Sequence, residues 1–141
     1  DIEKVSPAKN KDLANLILES GGLLLAENPP NTNVIPAFFV KRDRIQAGLS
    51  LAVFAIETSI DGGTMHAVKT ANDLERNVYV PNAVAAGYSD LSDKRIAGTQ
   101  MLAESGRAIS YTKDSYLQIQ DDLEGLLNSS LESSRKPDLF S

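Results

Sequence analysis

The sequence predicts an α/β fold with a mainly parallel sheet flanked by helices. Three observations predict it. Short runs at residues 23–26, 51–56 and 77–80 are apolar or bounded by turn residues, and read as buried strands. Segments with helical apolar spacing lie between them. That alternation is the order of βαβ units, whose strands run parallel. At 141 residues the chain has the length of one domain able to bury its own core.

The elements follow in order. Residues 2–5 are a short strand candidate. Ser6-Pro7 fits a helix start, with Ser6 capping and Pro7 in the first helical position, and Asn10 is a rival cap. Leu13, Leu16 and Ile17 share helical spacing and are expected to face a core. Gly21-Gly22 ends that helix, because glycine accepts the left-handed conformation. Residues 28–36 hold three prolines and three asparagines, which predicts a loop. A helix is expected over 38–50, a strand buried on both faces over 51–56, and a turn over 57–63. The next helix spans 64–74, with Val68, Ala71 and Leu74 inward. Pro81 stops the strand at 77–80, and residues 82–94 form a polar loop. Residues 96–105 are helical with Gly106 as cap, and 107–110 are a last strand. A helix over 113–131 is expected to break near Gly125, and 129–141 to fray.

The expected division is a domain over residues 1–121, then a C-terminal helix and tail over 122–141. The first residue is Asp1 and an element follows at once, so the domain is expected to be N-terminally truncated. A missing first βαβ unit predicts an uncovered sheet edge, and hence a homodimer or association with the missing part. The net charge of −5 argues against binding a polyanion over the whole surface and directs attention to local basic patches. The absence of cysteine excludes disulfides, zinc–thiolate sites and thiol nucleophiles. No apolar run is long enough to span a bilayer, nothing reads as a signal peptide, and the expected location is the cytoplasm.

Three constellations could carry chemistry. Asp61-Gly62-Gly63-Thr64 lies between a strand and a helix. Glycines there let backbone approach a phosphate, and the helix N-terminus offers N–H groups and positive dipole. A tight turn with Thr64 as N-cap explains the same residues. In Phe38-Phe39-Val40-Lys41-Arg42-Asp43-Arg44, three cations crowd the first turns of the expected helix, where the dipole disfavours them. A bound anion would resolve the conflict, and flat rings beside cations suit single-stranded nucleic acid. Core rings and solvated cations are the plain alternative. The third is His66, the only histidine, which could face a ligand or lie on a helix surface. No nucleophile elbow, Walker loop, GxGxxG or Ser-His-Asp set occurs, so no enzyme activity, metal or cofactor is expected.

These pieces resemble the DNA-processing protein A family, also called Smf. Leu23-Leu24-Leu25-Ala26-Glu27-Asn28-Pro29-Pro30-Asn31-Thr32 is similar to its strand followed by Ser-Glu and Pro-Pro-Gly-Thr. Phe39 with Lys41-Arg42-Asp43-Arg44-Ile45-Gln46-Ala47-Gly48-Leu49-Ser50 resembles its Phe-Pro-x-Arg-Asn-Arg-Ile-Ile-Ala-Gly-Leu-Ser, the most specific match. Gly62-Gly63-Thr64 resembles its Ser-Gly-(Ser/Thr) turn. Gly98-Thr99-Gln100-x-Leu102 resembles its Gly-Thr-Asn-x-Leu. Asp43 stands at the family's Asn, Val40 at its Pro, and Asn82 at the Gly of its Val-Pro-Gly.

The resemblance implies a Rossmann-like domain that binds single-stranded DNA, often as a dimer, and hands it to a RecA-type recombinase in natural transformation. Phe39, Lys41, Arg42 and Arg44 take the basic and aromatic positions, and Gly62, Gly63 and Thr64 the phosphate side. The alternative is a nucleotide-binding or phosphoribohydrolase relative of the "lonely guy" type. That branch carries Pro-Gly-Gly-x-Gly-Thr-x-x-Glu, whereas Ile60-Asp61-Gly62-Gly63-Thr64-Met65-His66-Ala67 lacks the Pro, the spacing and the Glu that acid/base chemistry needs.

Overall fold

A computed structural model describes residues 4–134, and the chain divides into two compact units, Asp1–Arg42 and Asp43–Ser141. The first unit holds a 3-10 turn at Ala8–Asn10, helix α1 at Lys11–Glu19, and the start of helix α2 at Pro36–Leu49. Of the two cap candidates, Asn10 takes the position before α1, although its side chain makes no capping bond. Lys4 and Val5 are not in a strand; the rest of that expected element, residues 2–3, lies outside the described residues. At the end of α1, Gly21 has φ +77°, with Gly22 N–H donating to the Ile17 carbonyl and Gly21 N–H to Leu18. This is a Schellman ending, and it is where the glycine pair places it.

Two further expectations for this unit fail. Leu13 and Leu16 are more than half exposed, and only Ala14 of α1 is buried. Residues 23–26 form no strand, with Leu23 77% and Leu25 61% exposed. An apolar run becomes a strand only when a neighbour takes its N–H and C=O groups, and the described residues of this unit contain no strand to do so.

The second unit is the layered α/β body. Strands β1 (Ala52–Phe54), β2 (Asn77–Pro81) and β3 (Ile109–Tyr111) form one parallel sheet in that order. Helix α3 (Thr64–Asp73) joins β1 to β2, and α4 (Ala97–Glu104) joins β2 to β3. Two crossovers in the same direction place both helices on one face. Period-two alternation then sorts the central strand. Val78 and Val80 join Ala47, Val68, Ala71 and Leu102 in the larger core, while Tyr79 points to the other face. There it meets Tyr111 of β3 and Ile119 of helix α5 (Tyr116–Ser134), beside a stacked Phe54 ring at 4.9 Å. Burial pushes the Tyr111 phenol above its ordinary pKa.

Only β2 is buried on both faces. Phe54 and Ile109 remain 42% and 49% exposed, which corrects the expectation of double burial for the strand over 51–56. Pro81 ends β2 from within it, and α5 runs through Gly125 without a break. The expected fraying over 129–134 is instead helix, and the remainder of that tail lies outside the described residues. Leu74 is 48% exposed rather than inward. Helix α3 ends in a Schellman pattern closed by Arg76 N–H to the Ala71 carbonyl, with Glu75 at φ +55° in the position glycine usually takes. Gly106, at φ +69°, closes α4 as expected. Among the described residues no helix is long and apolar enough to cross a membrane.

Candidate functional site

Helix α2 is set up by the loop before it. Pro29-Pro30-Asn31-Thr32 is a tight turn closed by Thr32 N–H and Oγ1 to the Pro29 carbonyl, at 3.3 and 2.7 Å. Asn31 has φ +64°, a conformation that glycine and then asparagine accept most readily. Asparagine can therefore stand where the resembling motif has glycine. Pro36 then opens α2, since a first helical residue has no intrahelical N–H bond to lose.

The helix begins two residues earlier than the sequence suggests. Lys41, Arg42 and Arg44 consequently lie in its second and third turns, beyond the first turn where the dipole acts. The dipole conflict that motivated a bound anion is thus removed. What remains is the side-chain arrangement. Phe39 is 53% exposed, and the Arg42 guanidinium carbon lies 5.6 Å from its ring centroid. That is a cation–π pair built by a three-residue helical step. Phe38 is half-buried and Lys41 exposed. Arg44 is exposed on the part of α2 that belongs to the second unit, where Ala47 anchors the helix in the core.

The turn after β1 lies at the carboxyl edge of the sheet. Gly62 N–H donates to the Ser59 carbonyl at 3.0 Å, and a Cβ on Gly62 would collide with Thr58 Oγ1. Gly63 occupies the N-cap position of α3 and Thr64 is its first residue, so Thr64 is not the cap. His66 is exposed on α3. The structure therefore pairs Phe39 with Arg42, and carries Arg44 and Gly62–Thr64 in the second unit.

The Gly98-Thr99-Gln100-x-Leu102 stretch has a structural explanation. Gly98 N–H bonds the Thr58 carbonyl at 2.8 Å, and a Cβ there would sit 2.5 Å from the Ser59 carbonyl oxygen. Thr99 is buried with its hydroxyl on the Ile96 carbonyl, and Leu102 is fully buried.

One cluster was missed by sequence reasoning. An open cavity of about 310 Å³ is lined by Glu57, Thr58, Ser59, Lys94 and Arg95. A second, of about 530 Å³, includes Gly87, Tyr88, Asp90, Asp93 and Arg95. Arg95 donates through Nε and Nη2 to Asp93, the shorter bond 2.6 Å, and its guanidinium carbon lies 5.9 Å from the Tyr88 ring centroid. The hydrogen bond from Arg95 holds the Asp93 carboxyl below its ordinary pKa, and Ser92 does the same for Asp90. The available signal was the Asp93-Lys94-Arg95 spacing, since an Asp often bonds the backbone two residues on; Asp93 does so, to Arg95 N–H at 2.8 Å. Among the described residues no group of three or more acidic or histidine side chains could hold a metal ion.

Residues 1–120 match the family model described as DNA recombination-mediator protein A. Protein Smf of Borreliella burgdorferi is 32% identical over 80 residues, covering 57% of this chain and 26% of that protein. Protein Smf of Escherichia coli is 30% identical over 78 residues, covering 55% and 21%. The chain thus spans about a quarter of the curated relatives it matches. Among solved structures, DNA processing protein A of Streptococcus pneumoniae is similar with a TM-score of 0.64 and 26% identity, over 79% of this chain and 36% of that one. DNA processing protein A of Helicobacter pylori, studied for its single-stranded DNA binding mode, gives a TM-score of 0.61 and 23% identity, over 89% and 52%.

Proposed function

The chain belongs to the DNA recombination-mediator protein A family, and from that premise we propose that it binds single-stranded DNA and processes it for recombination without catalysing a reaction. The observation that carries this reading is the exposed Phe39 ring with the Arg42 guanidinium 5.6 Å from its centroid. A base can stack on an exposed ring, and a guanidinium beside it can meet the phosphate that follows. Lys41 and Arg44 extend the same helix with positive charge. Gly62, Gly63 and Thr64 are assigned a phosphate contact of their own, through backbone N–H groups at the start of α3. The partners that fit this role are single-stranded DNA, a RecA-type recombinase and a second copy of the chain, acting in the cytoplasm.

The net charge of −5 makes the reading specific: attraction must come from α2 and not from the surface as a whole. Fluorescence anisotropy with oligo-dT across a salt series tests it. Replacing both Arg42 and Arg44 by Ala should weaken binding more than tenfold at low salt and reduce the slope of log K against log salt by about 1.4, as expected for two lost phosphate contacts on a single strand. Unchanged affinity and slope in the double variant would refute the assignment. Nucleoside monophosphates should release no free base; measurable release would favour the phosphoribohydrolase alternative.

A further inference from the structure

The loop between β2 and α4 carries an aromatic ring, a cation and two carboxylates around one cavity. Asn82 Oδ1, Asp90 Oδ1 and Asp93 Oδ1 each accept a backbone N–H from two or three residues ahead, so the loop is a series of tied turns. Tyr88 is half-buried within it, and Arg95 is held near the ring by Asp93. A guanidinium has five N–H donors, more than the bonds from Nε and Nη2 to Asp93 take up. Arg95 also forms the wall shared by the two cavities, of about 310 and 530 Å³. Each falls in the size range of small-ligand sites.

The two cavities differ in sign. The smaller sets Lys94 and Arg95 against Glu57, beside the Ser59 hydroxyl. The larger sets Asp90 and Asp93 against Arg95, beside the Tyr88 ring. A phosphate is repelled by the second and attracted by the first. A neutral base that carries an exocyclic amine suits the second, because carboxylates accept from such amines, as they do from the N4 amine of cytosine. Thymine presents carbonyls and a methyl group there instead.

We propose that this loop is a nucleotide subsite: Tyr88 stacks a base with an exocyclic amine, Asp90 accepts from that amine, Asp93 holds Arg95 in place through both its oxygens, and Lys94 with Arg95 holds the attached phosphate. The subsite rests on the single-stranded DNA reading, since a strand is what delivers the nucleotide, and it adds to that reading a preference among bases. Amide shifts of the full chain titrated with dCMP and with dTMP test it. The expected result is that dCMP moves the Tyr88, Ser89, Arg95 and Ser59 amides and binds about tenfold more tightly than dTMP. Tyr88→Ala should weaken dCMP binding about tenfold, and Tyr88→Phe should retain it. Lys94→Ala, at an exposed position, should weaken dCMP but leave deoxycytidine, which has no phosphate, unchanged. Equal affinity for dCMP and dTMP, shifts confined to other parts of the chain, or a Lys94→Ala effect equal for nucleotide and nucleoside would each overturn the proposal. Oligo-dC and oligo-dT separate the two readings. If dCMP engages the loop but neither oligonucleotide binds, the subsite stands and the single-stranded DNA reading fails. If both oligonucleotides bind and dCMP leaves the loop untouched, the subsite alone fails.

Discussion

On α2, Phe39 and Arg42 stand three residues apart, a helical spacing that sets both on one face, with the guanidinium carbon 5.6 Å from the ring centroid. In the loop after β2, Tyr88 and Arg95 stand seven residues apart, and their 5.9 Å approach is accompanied by a two-nitrogen grip of Asp93 on Arg95. The two pairs share their chemistry and differ in what fixes them. The spacing of the first is set by the backbone hydrogen bonds of a helix, which any sequence with reasonable helix propensity supplies. The second needs specific acidic side chains at specific turns. It also carries negative charge next to its cation through Asp93. Helical pairs should therefore tolerate substitution around them, and the loop pair should not.

The strongest test of that difference is Gly98→Ala. A Cβ at Gly98 would press on the Ser59 and Thr58 carbonyl oxygens, 2.5 and 2.7 Å away, and backbone on both sides must give. The expected cost is about 3 kcal/mol, the upper part of the range for overpacking, read as a fall in Tm of roughly 10 °C. Loss of the loop pair's base preference should accompany it. Phe39→Ala comes next: about 2 kcal/mol of oligonucleotide affinity, or roughly thirtyfold in Kd, with the salt slope unchanged because a ring neutralises no phosphate. A change in slope would show that the ring acts by positioning Arg42. Glu75→Gly has the opposite sign. Glu75 holds φ +55°, which costs a side-chain-bearing residue about 1 kcal/mol or more. The variant should be more stable by about that amount in urea unfolding, with both aromatic pairs unaffected.

The smallest effect concerns pH. Asp93 is held below the ordinary carboxylate pKa by its hydrogen bond from Arg95. The contribution of such a group is fully present above its unfolded pKa and is lost as pH falls through the lower, folded value. Between pH 7 and 5 the pair should stay intact, and affinity for deoxycytidine, which has no phosphate titrating near pH 6, should not change across that interval on account of Asp93. A drop within it would place the carboxyl above its assigned range.

How far the sequence reveals this molecule depends on where each signal comes from. Residues 23–26 and 51–56 are both continuous apolar runs, yet only the second contains a strand. Hydrophobicity marks what could be buried; pairing with β2 through Ala52, Val53 and Phe54 decides what is a strand, and that pairing is not local. The same holds for Leu13 and Leu16 of α1, which share helical spacing yet are more than half exposed: periodicity marks a face, and only a neighbour packed on it buries that face. Glycine-closed helix ends were legible at Gly21 and Gly106 because the left-handed position selects glycine. The end of α3 was harder because Glu75 occupies that position against preference. At the candidate site, the basic motif on α2 was visible as contiguous residues. The Tyr88–Arg95 pair was not, because its members meet only after the loop has folded through Asp90 and Asp93.

The bond from Gly98 N–H to the Thr58 carbonyl has one more consequence. It joins the turn after β1 to the first turn of α4; the former, together with Lys94 and Arg95 just ahead of α4, lines the smaller cavity. Their conformational entropy is therefore surrendered when the chain folds, not when a ligand arrives. A ligand entering that cavity meets walls already in place and spends little of its interaction free energy on ordering them.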